Sequence, residues 1–360
     1  MTLTDRRSAP INRRAAAWIA ACTLVLLACA SAAAHAATFA ELHSVIVPQS
    51  AGPAGASPRS QDESIRVAMG QLLTRITGRR DAAFEPALES LRQNARDYVE
   101  QVGAVDRDNL LVRFNPRDVE AALVALDQPI WGAERPLTLL WIAIDGGAGE
   151  RQILGAEAPR FGGESPLAEL QARFREQLEE VANERGLVLA LPLLDLQDMT
   201  SLNFVDIWGG FDDRVRLASE RYAPDDILVG RVRLTDYGAV TRWTLLEDYA
   251  EIPLGGQSLR DGLDALADMY AAEFSTLGRA SATEVVVLGI TSLDDYGRVM
   301  MYLESLSLLE LVAPAELSGE ALRLRVAARG GASGLQSILG LGNVLRPVPG
   351  QDSLTFTLAR

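Results

Sequence analysis

The chain contains no lysine, so all 34 of its basic residues are arginines. This absence excludes a Schiff-base lysine, a phosphate-binding Walker lysine and a Ser-Lys catalytic pair. Cysteine and histidine are also scarce, with two of each in 360 residues. Cysteine nucleophiles and histidine metal clusters therefore have almost no residues from which to form.

The first 37 residues have the pattern of an export signal. Four arginines precede an apolar run over residues 15–30, and Ala34-His35-Ala36 supplies small residues at a cleavage point. We expect this signal peptide to be removed and the protein to reside in the periplasm. Its removal takes away Cys22, Cys29 and His35, and leaves His43 as the one histidine.

A second interpretation of the leader is a lipobox at Leu26-Leu27-Ala28-Cys29, which would make Cys29 a lipid anchor facing the periplasm from the outer membrane. Ordinary cleavage is favoured, because leucine two residues before the cysteine is less usual. An uncleaved anchor is the third interpretation, and a run of about 16 residues is short for a membrane span. No later segment reaches 18 uninterrupted apolar residues, so no transmembrane segment is expected after cleavage.

Acidic residues outnumber basic ones, 48 to 34, and the net charge is −14. Such a surface repels nucleic acid and anionic lipid headgroups, so neither is an expected partner. Apolar residues make up 48% of the chain, which is enough for two or three cores.

Periodicity predicts an α+β fold of three small units, at residues 38–130, 131–280 and 281–360. In the first unit, residues 41–48 form a strand, and Ser60 with Glu63 forms a capping box for a helix that ends at Gly78. A second helix is expected over residues 84–99. A strand over 110–114 and a helix starting at Pro116 complete the unit.

The central unit combines buried strands with long helices. The apolar run 137–144 predicts a strand covered on both faces, and further strands are expected at 187–191, 227–234 and 241–246. Helices are expected over 167–185 and 258–274. This order predicts a mainly parallel or mixed sheet with packed helices.

The last unit has the pattern of a ferredoxin-like βαββαβ module. Strands are expected at 284–290, 308–315, 321–328 and 354–358, with helices at 293–306 and 335–341. We expect a four-stranded antiparallel sheet with both helices on one face. The other face would be free for contacts.

Several phrases of the chain resemble the proteobacterial family known as "domain of unknown function 2066". The resemblance extends from about His43 to the C-terminus, and implies an envelope protein with a signal peptide but no known catalytic residues. More distantly, the element order of the central unit is similar to periplasmic activator lipoproteins of peptidoglycan synthases and to the amino-terminal domain of the Tol-system propeller protein. The phrases are Trp131-Gly132, residues 135–141, residues 191–198, Ile207-Trp208-Gly209, residues 218–222 and Val229-Gly230-Arg231.

One loop, residues 195–222, concentrates acidic residues. A Ca²⁺ or Mg²⁺ site would use such oxygen ligands, but their spacing does not match an EF-hand loop. The favoured interpretation is that Asp198 caps a turn, while Asp212 and Asp213 occupy the first turn of a helix. The five carboxylates are those of Asp195, Asp198, Asp206, Asp212 and Asp213.

The same loop contains Trp208-Gly209-Gly210-Phe211, which could form a binding lip. The favoured alternative is that Trp208 closes the end of a core and the glycines permit a tight path. Arg221-Tyr222 precedes Pro224-Asp225-Asp226, which suggests an arginine paired to a nearby carboxylate.

Other chemistries lack their motifs. Residues 145–149 could be taken for a phosphate loop, but the full glycine pattern is absent. A catalytic triad would have to use His43, and no G-x-S-x-G sequence exists. A pair of carboxylates acting on sugars stays open, although no spacing identifies one.

The sequence thus favours a cell-envelope binding or assembly protein that acts through contacts with an envelope protein, without catalysis, cofactor or metal. The alternative is a metal- or carboxylate-dependent periplasmic hydrolase using the acidic loop 195–213. The candidate interaction residues are Asp195, Asp198, Trp208, Phe211, Arg221 and Tyr222.

Overall fold

In the computed structural model of the protein, the described residues are 37–50, 59–147, 149–157, 166–247, 250–341, 344–350 and 354–359. The expected leader, with Cys22, Cys29 and His35, lies outside them. The fold is a mixed α+β arrangement with several open sheets, which confirms the predicted class. Within the described ranges, no helix is both long enough and apolar enough to cross a membrane.

The first sheet is antiparallel and has the order β1-β3-β2. Its strands are β1 (Ser44–Pro48), β2 (Val99–Ala104) and β3 (Asn109–Phe114), and its helices are α1 (Gln61–Thr77), α2 (Glu89–Gln93) and α3 (Pro116–Ala125). Ser60 caps α1 by accepting a hydrogen bond from the Glu63 amide at 3.2 Å, which is one of the two bonds of the predicted capping box. The helix ends at Gly78, whose φ of 69° lies in the left-handed region that glycine tolerates.

The prediction of a helix over residues 84–99 was wrong. This stretch forms short 3-10 turns on both sides of α2, and then becomes β2 at Val99. Pro86 begins one of these turns and lacks an amide hydrogen, so a regular helix cannot run through it. Packing of this segment against α1 then matters more than its helical periodicity.

The second sheet is the largest and is mixed. Its order is β5-β4-β7-β8-β9, and β6 also pairs with β4. The strands are β4 (Leu137–Gly147), β5 (Glu150–Ile153), β6 (Val188–Ala190), β7 (Asp226–Thr235), β8 (Gly238–Leu246) and β9 (Glu251–Leu254). Parallel pairing joins β4 to β6 and β7, so the prediction of a mixed sheet in the central unit is confirmed.

Two sets of helices cover this sheet. One face packs against α4 (Pro166–Arg185) and α8 (Leu259–Phe274), both predicted from their periodicity. The other face carries α5 (Leu196–Ser201), α6 (Phe204–Gly209) and α7 (Asp212–Ser219). Alternate residues of β4 serve the two faces, since Leu139 and Trp141 belong to the core beneath α5–α7 while Leu140 lies beside α4.

The third sheet contains β10 (Ser281–Leu288), β11 (Leu309–Ser318), β12 (Ala321–Ala328), β13 (Leu345–Pro347) and β14 (Thr355–Leu358). The helices α9 (Leu293–Ser305) and α10 (Gly331–Leu339) complete this part of the chain. The strand order is β11-β12-β10-β14-β13.

The expected sheet of four antiparallel strands therefore needs correction. The structure shows a fifth strand, β13, and β14 runs parallel to β10. The hairpin of β13 and β14 adds one reversal of the chain. The last strand, β14, therefore runs in the same direction as β10 instead of the opposite one. Only three residues form β13, one of them Pro347, so the segment reads as a loop in the sequence.

Buried arginines connect the parts of the chain that carry the three sheets, and residues Ala36–Arg360 form one compact unit. Arg185, at the end of α4, pairs with Asp264 and with Asp268 at 2.6 Å on α8. It also donates to the Gly78 carbonyl, after α1, at 2.9 Å. Arg75 of α1 donates to the Asn183 carbonyl of α4 at 2.8 Å. We call this region the junction.

The junction continues to the third sheet through charged side chains. The Ser307 amide and hydroxyl donate to the buried Glu134 carboxylate at 2.5 and 2.7 Å. Arg329 donates to Glu120 at 2.5 Å and to the Ser307 carbonyl at 3.2 Å. His43 lies close to the same groups, with Nε2 3.6 Å from Glu120 Oε1.

Candidate functional site

The predicted interaction loop forms a helical layer over residues 193–222, which we call the cap. It packs on the central sheet through Leu202, Ile207 and Val215, which share a core with Trp141. Three short helices follow one another here, and side chains cap the first two, with Asp195 at the start of α5 and Asn203 at the start of α6. The cap therefore presents an ordered surface on one face of the sheet.

Arg221 joins the two ends of the cap. Its Nη1 lies 2.8 Å from Asp195 Oδ1 and 2.9 Å from Asp198 Oδ1, and its Nη2 lies 2.9 Å from Asp195 Oδ2. Planar guanidinium groups suit such paired contacts. The predicted arginine–carboxylate pair is present, but its partners are Asp195 and Asp198.

Asp198 is the buried centre of this network, with 1% of its surface exposed. Its Oδ2 accepts from the Tyr222 hydroxyl at 2.5 Å and from the Leu194 amide at 2.9 Å. The residue that caps α5 is Asp195, which accepts from the Asp198 amide at 3.0 Å. Asp198 thus accepts an amide of the turn that it was predicted to cap, but the helix N-cap is Asp195, and Asp198 also binds Tyr222 and Arg221.

The electrostatics of the network follow from these contacts. The hydrogen bonds from Arg221 lower the pKa of Asp195 to about 2. Burial, and then the hydrogen bond to Asp198, raise the pKa of Tyr222 to about 12. Both groups therefore keep their charge state across the neutral range, and the network acts as a fixed clamp.

The other acidic residues of the loop are separated from this clamp. Asp206 forms a capping box with Asn203 and accepts from Arg214 at 2.9 Å. Asp212 and Asp213 occupy the first turn of α7, as predicted. Among the described residues, no three acidic, histidine or cysteine side chains are grouped so that they could share a metal ion.

Asp212 has a neighbour that the sequence did not indicate. It is 6% exposed, and its Oδ1 is 3.7 Å from Arg231 Nη2. Asp212 raises the pKa of the Glu251 carboxyl, first through a shared hydrogen bond and then through its negative charge. Asp212 and Glu251 are thus neighbouring carboxyl groups.

The two aromatic residues of the Trp208–Phe211 segment behave differently, one covering the core and the other exposed to solvent. Trp208 is half-buried and stacks on Phe204 with ring centres 5.2 Å apart, so it covers the core. Phe211 is 53% exposed. Gly210 has a φ of 75°, and a Cβ on Gly209 would lie 2.8 Å from the Phe211 ring, so both glycines permit this path.

The cap also exposes apolar side chains, and of these only Phe211 was among the residues predicted from the sequence. Six of the sixteen large exposed apolar side chains among the described residues lie between positions 193 and 217, each exposed by 53–79%. In short helices, apolar residues interspersed with polar ones indicate an exposed apolar surface only weakly. The sequence alone does not show which face of each helix the rest of the fold covers. These residues are Leu193, Leu196, Met199, Val205, Phe211 and Leu217.

Comparison with known protein families gives a match over the first part of the chain. A family model described as "Domain of unknown function (DUF8605)" matches residues 36–132, which contain the first sheet and its helices. This domain differs from the one that the sequence phrases resemble, and the earlier resemblance stays an expectation. No curated protein and no solved structure matches the chain significantly.

Proposed function

We propose that the protein is an exported component of the cell envelope that binds an envelope protein through the cap and does not catalyse a reaction. The observation that carries this proposal is the set of six exposed apolar side chains on one short segment. Exposed apolar side chains concentrated in one region are typical of protein interaction sites. The clamp of Arg221, Asp195 and Asp198 supports the proposal, since a fixed surface loses little entropy on binding.

The proposed location depends on the leader. The arginines, the apolar run and Ala34-His35-Ala36 support cleavage near Ala37, and Cys29 supports the lipoprotein alternative. Intact mass of the protein from the periplasm should show a chain that begins near residue 37 or 38. An acylated Cys29 would support the anchor, and a full-length cytoplasmic chain would contradict both.

We also propose a division into three domains at residues 38–130, 131–280 and 281–360. Each of the three sheets falls within one of these segments, which supports the division. For the last domain we propose a ferredoxin-like plan to which the β13–β14 hairpin is an addition, and the antiparallel pairing of β12 with both β10 and β11 supports it.

Photo-crosslinking in living cells tests binding by the cap. A photoreactive phenylalanine derivative replaces Leu196, which is 79% exposed, and in a control strain it replaces Leu293, which is 82% exposed and lies on α9. We expect a discrete protein adduct from position 196 and none of the same mass from position 293.

A second pair of variants tests whether the adduct reflects binding. Met199→Glu places a charge on the cap, and Met301→Glu places it at a site of similar exposure, 68% against 65%. Both should change stability by less than about 0.5 kcal/mol. Loss of the adduct in the first variant alone supports the proposal. Equal adducts from both positions, or an adduct that persists in Met199→Glu, would overturn it.

The pair of Asp212 and Glu251 favours a second candidate, a carboxylate-dependent hydrolase. Two neighbouring carboxyl groups can share acid and base roles in hydrolysis. The test is hydrolysis of peptidoglycan fragments, esters and phosphoesters by the wild type, Asp212→Asn and Glu251→Gln. Turnover lost in both variants would establish this candidate, while no turnover by the wild type would exclude it for these substrates.

A further inference from the structure

A cleft of 630 Å³ lies on the face of the central sheet opposite the cap. It is located where the parallel strands β4 and β7 end, beside Gly146 and Leu234, and α4 and the start of α8 form its sides. Ligands of open α/β sheets bind in crevices at the carboxyl ends of parallel strands. The volume is within the range of small-molecule sites.

The walls of the cleft are mainly apolar. Leu167, Leu170 and Phe174 follow one ridge of α4 at helical spacing, and Leu259 of α8 closes the opposite side. Leu167, Phe174 and Leu259 are each at most 6% exposed. An apolar side chain of a ligand would find aliphatic and aromatic contacts here.

Thr241 of β8 supplies a buried polar group to the same wall. The residue is 2% exposed, and its hydroxyl has no hydrogen-bond partner in the described part of the chain. The neighbouring hydroxyls differ, since Thr235 donates to the Gly238 carbonyl and Ser258 accepts from the Asp261 amide. Because buried polar groups are nearly always paired, the Thr241 hydroxyl is available to a ligand.

Two opposite charges lie at the rim. Arg173 and Glu150 both line the cleft, and in the described ranges neither forms an ion pair. They are the two charged side chains of the lining, one of each sign. A ligand that satisfies both must carry a positive and a negative group together with an apolar body.

We infer that this cleft binds a small zwitterion with apolar side chains, such as an apolar dipeptide. The carboxylate binds Arg173, the ammonium group binds Glu150, and the side chains lie against Leu170 and Phe174. The Thr241 hydroxyl donates to a carbonyl of the ligand. This inference concerns the opposite face of the sheet from the cap and does not depend on the proposed function.

The experiment is calorimetric titration of the whole protein with Leu-Phe. Three further probes are its N-acetyl derivative, its C-terminal amide and Gly-Gly, which remove the ammonium group, the carboxylate and the apolar side chains in turn. We expect binding of Leu-Phe, weakening by roughly tenfold for either blocked form, and no binding of Gly-Gly.

Variants assign each contact. Acetylation of the probe should weaken binding to the wild type but not to Glu150→Gln, and amidation should weaken binding to the wild type but not to Arg173→Gln. Thr241→Val keeps the shape, should not reduce the melting temperature, and should weaken Leu-Phe by roughly tenfold. Glu176→Gln, on the same helix but outside the lining, is the control and should bind like the wild type.

Several results would overturn the inference. No binding of Leu-Phe at millimolar concentration excludes the site. Equal affinity for Leu-Phe and Gly-Gly excludes recognition by the apolar walls. Unchanged affinity in both Glu150→Gln and Arg173→Gln excludes recognition of the two charges. Both substitutions are at exposed positions and should leave folding intact, so they still test the inference if Thr241→Val fails to fold.

Discussion

The junction and the cap are both built from arginine–carboxylate contacts, but the two regions use them differently. At the junction Arg185 is 1% exposed and binds two carboxylates and a carbonyl from another part of the chain. In the cap Arg221 is 26% exposed, and one of its partners, Asp195, is 44% exposed. The first arrangement fixes separate elements to one another, whereas the second holds a surface in shape.

The apolar surroundings differ in the same direction. The helices at the junction bury their apolar faces, while the cap leaves Leu196 and Met199 in solvent. A buried ion pair cannot be screened by salt as an exposed one is. We therefore expect substitutions at the junction to reduce stability more than substitutions in the cap.

The largest effect is expected at the junction. Arg185→Met removes the buried guanidinium that binds Asp264, a residue that is 8% exposed and keeps only the half-exposed Arg80 at 3.8 Å, and it should destabilise by about 3 to 5 kcal/mol. Arg80→Met is the matched control, since Arg80 pairs with the same two carboxylates, Asp268 closely and Asp264 at 3.8 Å, but is 51% exposed, and it should cost less than about 1 kcal/mol. Urea unfolding measures both. Equal losses would show that burial does not distinguish the two arginines.

The core beneath the cap should respond almost as strongly. Leu139→Ala removes a fully buried side chain of β4 and should cost about 2 to 5 kcal/mol through lost burial and a remaining cavity. Leu311→Ala on β11, where the side chain is 57% exposed, should cost about 0.5 kcal/mol or less. A loss below about 1 kcal/mol for Leu139→Ala would contradict its place in the core.

The junction should also make stability depend on pH. Burial, and then the charges of Arg75 and Arg329, lower the pKa of His43 to about 4, while Glu120 is its nearest acidic neighbour. The unfolded chain therefore binds the proton more readily, and stability present above about pH 6.5 is lost as the pH falls toward 4. The loss should amount to about 3 kcal/mol.

His43→Gln removes this titration and supplies the control. Between pH 7.5 and 4, the unfolding free energy of the wild type should fall more steeply than that of the variant, because only the wild type loses the contribution of His43. Parallel curves over this range would show that His43 titrates normally.

The clamp of the cap should give the smallest change. Asp198→Asn weakens bonds to Arg221 and Tyr222 at a buried site and should cost about 1 to 3 kcal/mol. Asp195→Asn should cost less, because Asp195 is half exposed. Divalent cations should leave both melting temperatures unchanged. A saturable shift that disappears in Asp198→Asn, about 2.7 kcal/mol at 100 times the dissociation constant, would favour the metal-dependent alternative.

The elements predicted well from sequence are those whose signals are local. Ser60 and Gly78 mark the two ends of α1, and the apolar stripe of α8 predicts its buried face. The elements missed were decided by distant contacts. The segment around Pro86 follows its packing against α1, and β13 exists because β14 is beside it.

The candidate site shows the same division. Its acidic residues and Arg221 could be listed from sequence, and a pairing between them was expected. Which carboxylates Arg221 would bind, and the contact of Asp212 with Glu251, involve residues more than twenty positions apart. Hydrophobic periodicity indicates local helices and strands, and it does not predict contacts between residues so far apart in the sequence.

The sequence by itself determined the composition, the absence of lysine chemistry and most helices and strands, because these depend on residue type and on hydrogen bonds between near neighbours. Only the tertiary structure decided that Arg185 is buried and His43 is largely enclosed at the junction, and that Leu196 and Met199 stay exposed. Burial depends on what the rest of the chain brings against a side chain, and that is a property of the whole fold.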